Sequence, residues 1–381
     1  MPKKGLNIYK RKDGRWEGRY IKGRKDDGRA EYVYIYGNTY NEVRRKLMQL
    51  AVMPLVPQSD KLLTFSDVAI RWLFNISLRI KTSTYAHYSA MLQNHVLPSL
   101  GVKNIHLLTT ESIDRFSKDM LLGGCKNGSG GLSPKTVRDL LSIVKNILDY
   151  AKIEYFANPN LTITYPKRDT KRARVLSMSE QNAFEQVLME QPDIIKLGIL
   201  LCLYTGLRLG EICALRWQDI SLDRQIVFIR QTMQRVQNTE VAYGPKTYLL
   251  IGTPKSQHSE REIPLPTFLN SHLYFHIKSG NSFFLSGKKF EYVEPRTMQN
   301  HFKKLITKAG IAPANFHTLR HTFATRCIEA GVDIKSLSEI LGHSNVNITL
   351  NQYVHSSFAQ KQAGIRKLEQ FSDLQFNKPS E

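Results

Sequence analysis

The segment FHTLRHTFATRCIEAGVDIKSLSEILGHSNVNITLNQYVH, residues 316–355, decides the fold expected for the rest of this chain. Apolar side chains recur in its first half close to the spacing of an α-helix, which predicts a helix with His317 and Arg320 near its start. Gly331 stands where that helix is expected to end, because glycine readily adopts the left-handed conformation of a helix C-terminus.

The second half of the segment carries a histidine and a tyrosine. A short helix, IKSLSEIL, is predicted to end at Gly342, which leaves His343 at a turn. Tyr353 follows ten residues after that histidine. A histidine and an arginine three residues apart are a weak signal, because polar pairs at helix starts are usually surface residues. Leu-Gly-His followed by a tyrosine at this distance is a rarer combination.

These residues and an upstream stretch resemble one enzyme family. The stretch TGLRLGE, 205–211, places an arginine directly after a buried apolar helix. Together with the later segment it resembles the tyrosine recombinase (phage integrase) family, whose site pattern in chain order is Arg, Lys, His-x-x-Arg, His and Tyr. The positions of that pattern are filled here by Arg208, Lys255, His317, Arg320, His343 and Tyr353. Glu211 stands at the acidic position after the first arginine, where it either braces the site or forms an ordinary helix ion pair.

The resemblance implies a chemistry that needs neither metal nor water. Tyr353 would attack phosphorus and form a covalent 3′-phosphotyrosyl intermediate. The two arginines suit the phosphate oxygens, because a guanidinium is permanently charged and offers parallel donors. The resemblance assigns Lys255 as general acid and His317 as proton acceptor. His343 is expected to form a hydrogen bond to the phosphate or to the tyrosine. His321 is interpreted as a packing or capping residue.

Composition points to an anionic polymer as partner. The 381 residues carry a formal net charge of +21, and the pI is about 9.7. The excess is local, since residues 1–50 hold 14 Lys and Arg against 6 Asp and Glu. A basic chain of this length predicts two or three domains and a nucleic-acid partner.

Several other classes of protein are not expected. The four cysteines show no zinc or disulfide spacing, so reduced thiols in a cytoplasmic protein are predicted. No apolar run approaches about 18 residues, so no membrane span is expected. No acidic or histidine cluster has metal spacing and no GxxxxGK motif occurs, so no cofactor is predicted.

The first 55 residues are predicted to form a three-stranded sheet covered by a helix over 39–53. Lys12-Asp13-Gly14 between alternating runs is a strong hairpin signal. This module resembles the arm-type DNA-binding domain of some integrases, which inserts a sheet into a major groove. The DNA contacts expected on its hairpin are Arg11, Arg15, Arg19, Lys22 and Arg24. The alternative is a charged, solvated hairpin with no partner.

Residues 64–155 are predicted to form four helices, the last beginning with Ser133 as cap and Pro134 in its first turn. They resemble the family's core-binding domain. Lys81 and Thr82 open the second of these helices and are expected to meet phosphates. The alternative is an N-terminal cap that contacts no DNA.

The fold class expected is therefore multidomain and mainly α-helical with small β-sheets. Its parts are an N-terminal three-stranded sheet plus helix (1–55), a helical core-binding bundle (64–155), a linker (156–175) and a mixed α/β tyrosine-recombinase catalytic domain with a C-terminal docking helix (176–381). Lys255 is predicted to lie in a turn between two strands of the catalytic domain.

The three-part layout resembles integrases of phages and conjugative transposons of Gram-positive bacteria. The resemblance implies double-stranded DNA with core and arm sites as partner, a homotetramer on that DNA, and an excisionase and a host DNA-bending protein as accessory factors. The apolar residues after Tyr353 predict a terminal helix, which docks either on its own catalytic domain or on a neighbouring protomer.

Three functions are weighed. The first is site-specific recombination that integrates and excises a mobile element through a Holliday junction, without metal or ATP. The second is a DNA-binding regulator that has lost the reaction, and the complete residue set argues against it. The third is a type IB topoisomerase-like enzyme, against which the arm-binding module argues.

Overall fold

A computed structural model describes most of the chain. The residues it describes are 8–24, 30–51, 63–125, 128, 130–155, 157, 161–168, 173–238, 245–253, 260–278, 280–286, 291–353 and 362. Two compact units result, Met1–Thr170 with Gln237–Lys246, and Lys171–Val236 with Thr247–Glu381. Among the described residues, no helix is long and apolar enough to cross a membrane.

The N-terminal module is the predicted three-stranded sheet with one helix. Its elements are β1 (Ile8–Lys10), β2 (Trp16–Arg24), β3 (Ala30–Gly37) and α1 (Tyr40–Ala51). The strands pair antiparallel in chain order, with Glu17 opposite Tyr36 and Arg19 opposite Tyr34. The hairpin turn has Gly14 at φ +85°, as the aspartate-glycine signal predicts. Helix α1 covers one face of the sheet through buried apolar side chains.

A helical bundle follows, as predicted. Its helices are α2 (Phe65–Ser77), α3 (Thr82–Met91), α4 (Leu97–Leu100), α5 (Thr110–Gly123) and α6 (Pro134–Tyr155). One π-helical turn, Leu92–Val96, joins α3 to α4. Ser133 Oγ accepts a hydrogen bond from the Thr136 amide, 3.2 Å away, which confirms the predicted cap of α6. The extended segment 161–168 packs on this bundle.

The second unit carries the remaining helices and two small sheets. Its helices are α7 (Met178–Met189), α8 (Ile194–Thr205), α9 (Leu209–Ala214), α10 (Thr267–Tyr274), α11 (Pro295–Lys308), α12 (His317–Glu329), α13 (Ile334–Leu341) and α14 (Val346–Tyr353). Its strands are β4 (Ile220–Ser221), β5 (Ile226–Ile229), β6 (Thr232–Gln237), β7 (Thr247–Gly252) and β8 (Arg261–Pro264). One sheet has the order β4-β5-β8 and the other pairs β6 with β7.

Helix α8 forms the centre of the core of this unit. Beyond Lys196 in its first turn it is almost entirely apolar, and most of its side chains are buried, as expected for a helix surrounded by others. The helix ends at Gly206, which adopts φ +65°. A Cβ at that position would lie 2.6 Å from the Phe323 ring and 2.9 Å from a Leu341 methyl group. Glycine therefore lets the chain turn towards α9 while α12 and α13 pack close by.

Candidate active site

Arg208 lies at the start of α9, where the sequence predicts the first arginine of the site. Its backbone N–H donates to Glu211 Oε2 at 2.9 Å, and its Nη1 donates to Oε1 of the same carboxylate at 2.8 Å. The Arg208 side chain is 35% exposed. The guanidinium therefore has a fixed position and an open side.

Glu211 is buried and held by two arginines. Its side chain is 3% exposed, and Arg261 Nη2 and Nη1 donate to its two oxygens at 2.9 and 3.1 Å. Burial opposes ionisation, but the Arg261 and Arg208 guanidiniums outweigh it and hold the pKa of Glu211 at about 2. Glu211 therefore forms the ion pair with Arg208 three residues away that the sequence leaves open, and it also pairs with Arg261 of β8.

The C-terminus of α13 gathers three arginines on three consecutive carbonyl groups. Ile340 O accepts from Arg261 Nε at 2.6 Å, Leu341 O accepts from Arg320 Nη2 at 2.6 Å, and Gly342 O accepts from Arg208 Nη2 at 3.2 Å. The last carbonyls of a helix lack partners within the helix and carry partial negative charge. This helix end therefore positions guanidinium groups that would otherwise repel one another.

Arg320 is almost fully enclosed, with 1% of its area exposed. Its Nη1 donates to Gly206 O at 2.8 Å, so the ends of α8 and α13 hold it from two sides. Gly342 adopts φ +64°, and a Cβ there would approach Arg261 Nη1 to 3.0 Å. Glycine at this helix end thus allows the arginines to approach the backbone.

His343 follows this helix end and contacts Arg320. Its Nε2 lies 2.9 Å from Arg320 Nη2, and its Nδ1 lies 2.8 Å from Thr349 Oγ1. Burial, with the charges of Arg320 and Arg208, lowers the pKa of His343 to about 4. The imidazole is therefore neutral near pH 7.

Tyr353 closes the cluster as the last residue of α14. Its hydroxyl lies 2.9 Å from His321 Nδ1, and its ring packs beside the small apolar cluster of α12 and α13. Burial raises the pKa of Tyr353, although the charges of Arg320 and Arg208 act in the opposite direction. The phenol therefore stays protonated near pH 7 and becomes a nucleophile only beside a group that takes its proton.

His317 lies at the start of α12, one turn before His321. The two imidazole rings are perpendicular, with their centroids 4.6 Å apart. The structure places His321, and not His317, at hydrogen-bonding distance from the Tyr353 hydroxyl. The interpretation of His321 as a packing or capping residue did not include this contact with the predicted nucleophile.

Lys255 lies outside the described residues. The strands on either side of it in sequence, β7 and β8, belong to different sheets. Of the residues predicted to contact DNA, Arg11, Arg15 and Arg19 are exposed on the N-terminal module, and Lys22 and Arg24 lie farther along β2. Lys81 and Thr82 are exposed at the start of α3, where the Lys81 side chain does not cap the helix.

Comparison with known proteins identifies the family. Residues 174–360 match the phage integrase family, and residues 64–121 match its N-terminal SAM-like domain. The tyrosine recombinase XerD of Staphylococcus saprophyticus is 30% identical over 272 residues, which cover 67% of this chain and 81% of that protein. This chain belongs to the tyrosine recombinase, or phage integrase, family. Members of this family cut and rejoin DNA, and this recombinase is an enzyme of that type.

Other similarities agree with this assignment. A XerC-like tyrosine recombinase of Caldanaerobacter subterraneus subsp. tengcongensis is 26% identical over 374 residues, covering 91% of this recombinase and 93% of that protein. The Tn1549 transposon integrase, solved with transposon right end DNA, superposes with a TM-score of 0.66 at 21% identity, covering 81% of this chain and all of the solved one. A lambda integrase tetramer bound to a Holliday junction gives 0.56 at 17% identity, covering 91% and 95%. These structures share the fold of the recombinase.

Arg261 is absent from the site that the sequence of this recombinase predicts, and His321 enters it only as a packing or capping residue, although both leave a signal in the sequence. Arg261 lies two residues before the buried Ile263 on β8, so both side chains point to the inward face of the strand. A cation on an inward face needs a buried partner, and Glu211 is that partner. His321 is four residues after His317, so the two histidines share one face of α12.

Proposed function

We propose that this recombinase integrates and excises a mobile genetic element, with Tyr353 as the nucleophile and a Holliday junction as intermediate. The convergence of Arg208, Arg320 and His343 on one helix end, with Tyr353 packed beside it, carries the proposal. This arrangement brings together two guanidinium groups that can bind one phosphate and a hydroxyl group that can attack its phosphorus.

The reaction proceeds by exchange of phosphodiester bonds. Tyr353 Oη forms a bond to phosphorus while the bond from phosphorus to the 5′-oxygen breaks, so the free energy of the original bond is kept in the phosphotyrosine. Arg208 and Arg320 neutralise charge on the non-bridging oxygens. Lys255 protonates the departing 5′-oxygen, as the family resemblance implies.

The phenolic proton leaves to an imidazole. His321 Nδ1, which lies 2.9 Å from the Tyr353 hydroxyl, is the acceptor. Burial and the charge of Arg320 lower the pKa of His321, so its ring is neutral near pH 7 and able to accept. His317, which the sequence suggests for this role, lies against the His321 ring and contributes through it.

The exposed face of the N-terminal sheet supports binding to arm sites. Tyr9, Tyr34 and Tyr36 are 45%, 48% and 43% exposed on this face. The Arg19 guanidinium lies 5.2 Å from the centre of the Tyr9 ring and 5.4 Å from that of Tyr34. Cations stacked on aromatic rings, on a sheet covered behind by a helix, suit insertion into a major groove.

The bundle and the tail complete the proposed assembly. Lys81 and Thr82 contact phosphates of the core site at the start of α3. Except for residue 362, the tail after Tyr353 lies outside the described residues, and we assign it to docking on the next protomer of a tetramer. An excisionase and a host DNA-bending protein direct the reaction, which takes place in the cytoplasm. Truncation after about residue 357 tests the tail, because tetramer assembly on DNA should weaken.

A nicked suicide substrate tests the proposal against its alternatives. Cleavage beside the nick releases a short strand, so the covalent complex cannot reverse and accumulates. Covalent trapping together with junction formation on paired sites is the expected result. No trapping, with DNA binding intact, indicates a regulator, and trapping without junctions indicates a simple relaxing enzyme.

A further inference from the structure

Helix α14 presents two side chains to the site, Thr349 and Tyr353. They are four residues apart and so share one face of the helix. Thr349 is 0% exposed. Its Oγ1 lies 2.8 Å from His343 Nδ1, while the Tyr353 hydroxyl lies 2.9 Å from His321 Nδ1. The helix that carries the nucleophile is therefore joined by one hydrogen bond to each of two histidines.

The contacts of His343 fix which ring nitrogen carries its proton. Arg320 has no acceptor atom, so its Nη2 must donate to His343 Nε2, 2.9 Å away. The neutral imidazole then carries its proton on Nδ1 and donates it to Thr349 Oγ1. The threonine oxygen accepts this hydrogen bond at a position that is fully buried.

We propose that Thr349 is a positioning residue that accepts the Nδ1–H of His343 and so holds the ring with Nε2 against Arg320, which keeps that guanidinium ready for the scissile phosphate. Because Thr349 and Tyr353 share one helix, the same contact links the position of the nucleophile to the phosphate-binding arginine. This role rests on the proposed function of Arg320 and His343 in phosphate binding.

Loss of the hydroxyl has a definite consequence. Without an acceptor at Nδ1, the N–H of His343 is left unsatisfied in a buried place, because the Arg320 donor keeps Nε2 unprotonated. The ring is expected to turn away from this position, and Arg320 then loses one of its fixed contacts. Loss of a hydrogen-bond partner in a buried site corresponds to a rate effect of about tenfold or more.

Three substitutions test this role in the full-length protein. Thr349→Val keeps the shape and removes the hydroxyl, Thr349→Ser keeps the hydroxyl, and Thr349→Ala is a second variant without it. We expect single-turnover cleavage of a nicked suicide substrate to fall about tenfold in the valine and alanine variants. The serine variant should stay within about threefold of the wild-type rate, and all three should bind core-site DNA with unchanged affinity.

Thr322→Val provides the matched control, because Thr322 is also 0% exposed. Its hydroxyl donates to Thr318 O at 2.8 Å and accepts from the Leu176 amide at 3.0 Å, so its hydrogen bonds go to backbone groups and not to a histidine ring. Any loss of thermal stability from removing a buried hydroxyl should appear in this control. Its cleavage rate per folded molecule should remain that of the wild type.

The Nδ1–H group of His343 gives a readout that a purely structural role would not change. Proton–nitrogen correlation spectra of the ¹⁵N-histidine-labelled protein show whether this N–H is hydrogen-bonded, and His343→Gln assigns the signal. We expect a slowly exchanging, hydrogen-bonded Nδ1–H signal in the wild type and in Thr349→Ser, and its loss in Thr349→Val. Retention of this signal in the valine variant, or cleavage within twofold of wild type, would overturn the proposal. Failure of the wild type to trap DNA would contradict the proposed function and leave the Nδ1–H result standing.

Discussion

Arg261 and Glu211 form a nearly enclosed ion pair, with Nη2 2.9 Å from Oε2 and side chains 6% and 3% exposed. The same carboxylate holds Arg208, and the same arginine holds the end of α13 through Ile340 O. One pair of residues thus connects the first arginine of the site to the helix end that carries His343. Neither residue needs to touch DNA to affect the reaction.

Arg261→Ala should reduce both stability and cleavage. Removing one partner of a buried pair leaves a buried charge less compensated, which costs about 3 kcal/mol. Arg208 remains near Glu211, so we expect the chain to fold with a lowered Tm. Thermal denaturation and single-turnover cleavage measure the two effects.

Lys308→Ala serves as the control for this variant. Lys308 pairs with Glu190 on the surface, with both side chains more than half exposed, and such pairs contribute about 0–1 kcal/mol. Arg261→Lys should lie between wild type and alanine, because a lysine keeps the charge but lacks the planar fork. Equal stability and equal cleavage rates in Arg261→Ala and Lys308→Ala would contradict the bracing role.

Lys255→Ala should slow cleavage strongly, and a substrate with a 5′-bridging sulfur should restore much of the rate. Sulfur leaves without a proton, so a general acid becomes dispensable. His321→Ala should gain nothing from this sulfur, since His321 acts on the attacking oxygen instead. A lysine variant that is no faster on the sulfur substrate would show that Lys255 serves phosphate binding.

Stability should fall as the pH is lowered from about 6.5, the ordinary histidine pKa. The pKa of His343 is about 4 in the folded protein because of burial and the charge of Arg320. Between these values the unfolded chain binds more protons, so acid favours unfolding. Denaturation as a function of pH should show a shallower slope for His343→Asn than for the wild type. Identical slopes in the wild type and His343→Asn would contradict a neutral, buried His343.

Arg19→Ala should weaken binding to arm-site DNA and flatten its salt dependence. Each phosphate neutralised contributes a slope of about −0.9 in log affinity against log salt, so loss of one contact should reduce the slope by about that amount. Arg44→Ala alters an exposed arginine of α1, the helix covering the other face of the sheet, and should leave the slope unchanged. If both variants bind alike across the salt range, the tyrosine-arginine face is not the DNA-binding surface.

The order of helices and strands can be predicted from the sequence because the residues that start and end helices act locally. Gly331 and Gly342 follow helices as expected, and each adopts a positive φ. Ser177 and Glu180 form a capping box at the start of α7, a motif of residues three positions apart. Such signals depend on neighbouring residues alone, so they can be interpreted without the fold.

The contacts within the site depend on distances that the sequence does not contain. Arg261 reaches Glu211 from fifty positions away, and His321 meets a tyrosine 32 positions later. Resemblance to the family named the catalytic set but not the partners that hold it. The ten-residue interval from His343 to Tyr353 gains a physical reason only from α14, which turns Thr349 and Tyr353 towards the same side.

The covalent DNA complex tests the central claim, that Tyr353 is the nucleophile of this site. After trapping on a nicked suicide substrate, nuclease digestion and proteolysis leave one peptide that carries a nucleotide on the attacking residue. Mass spectrometry should locate the 3′-phosphate on Tyr353, and Tyr353→Phe should bind DNA with nearly unchanged affinity while forming no adduct. An adduct on any other residue, or trapping by the phenylalanine variant in buffer containing EDTA, would contradict the account.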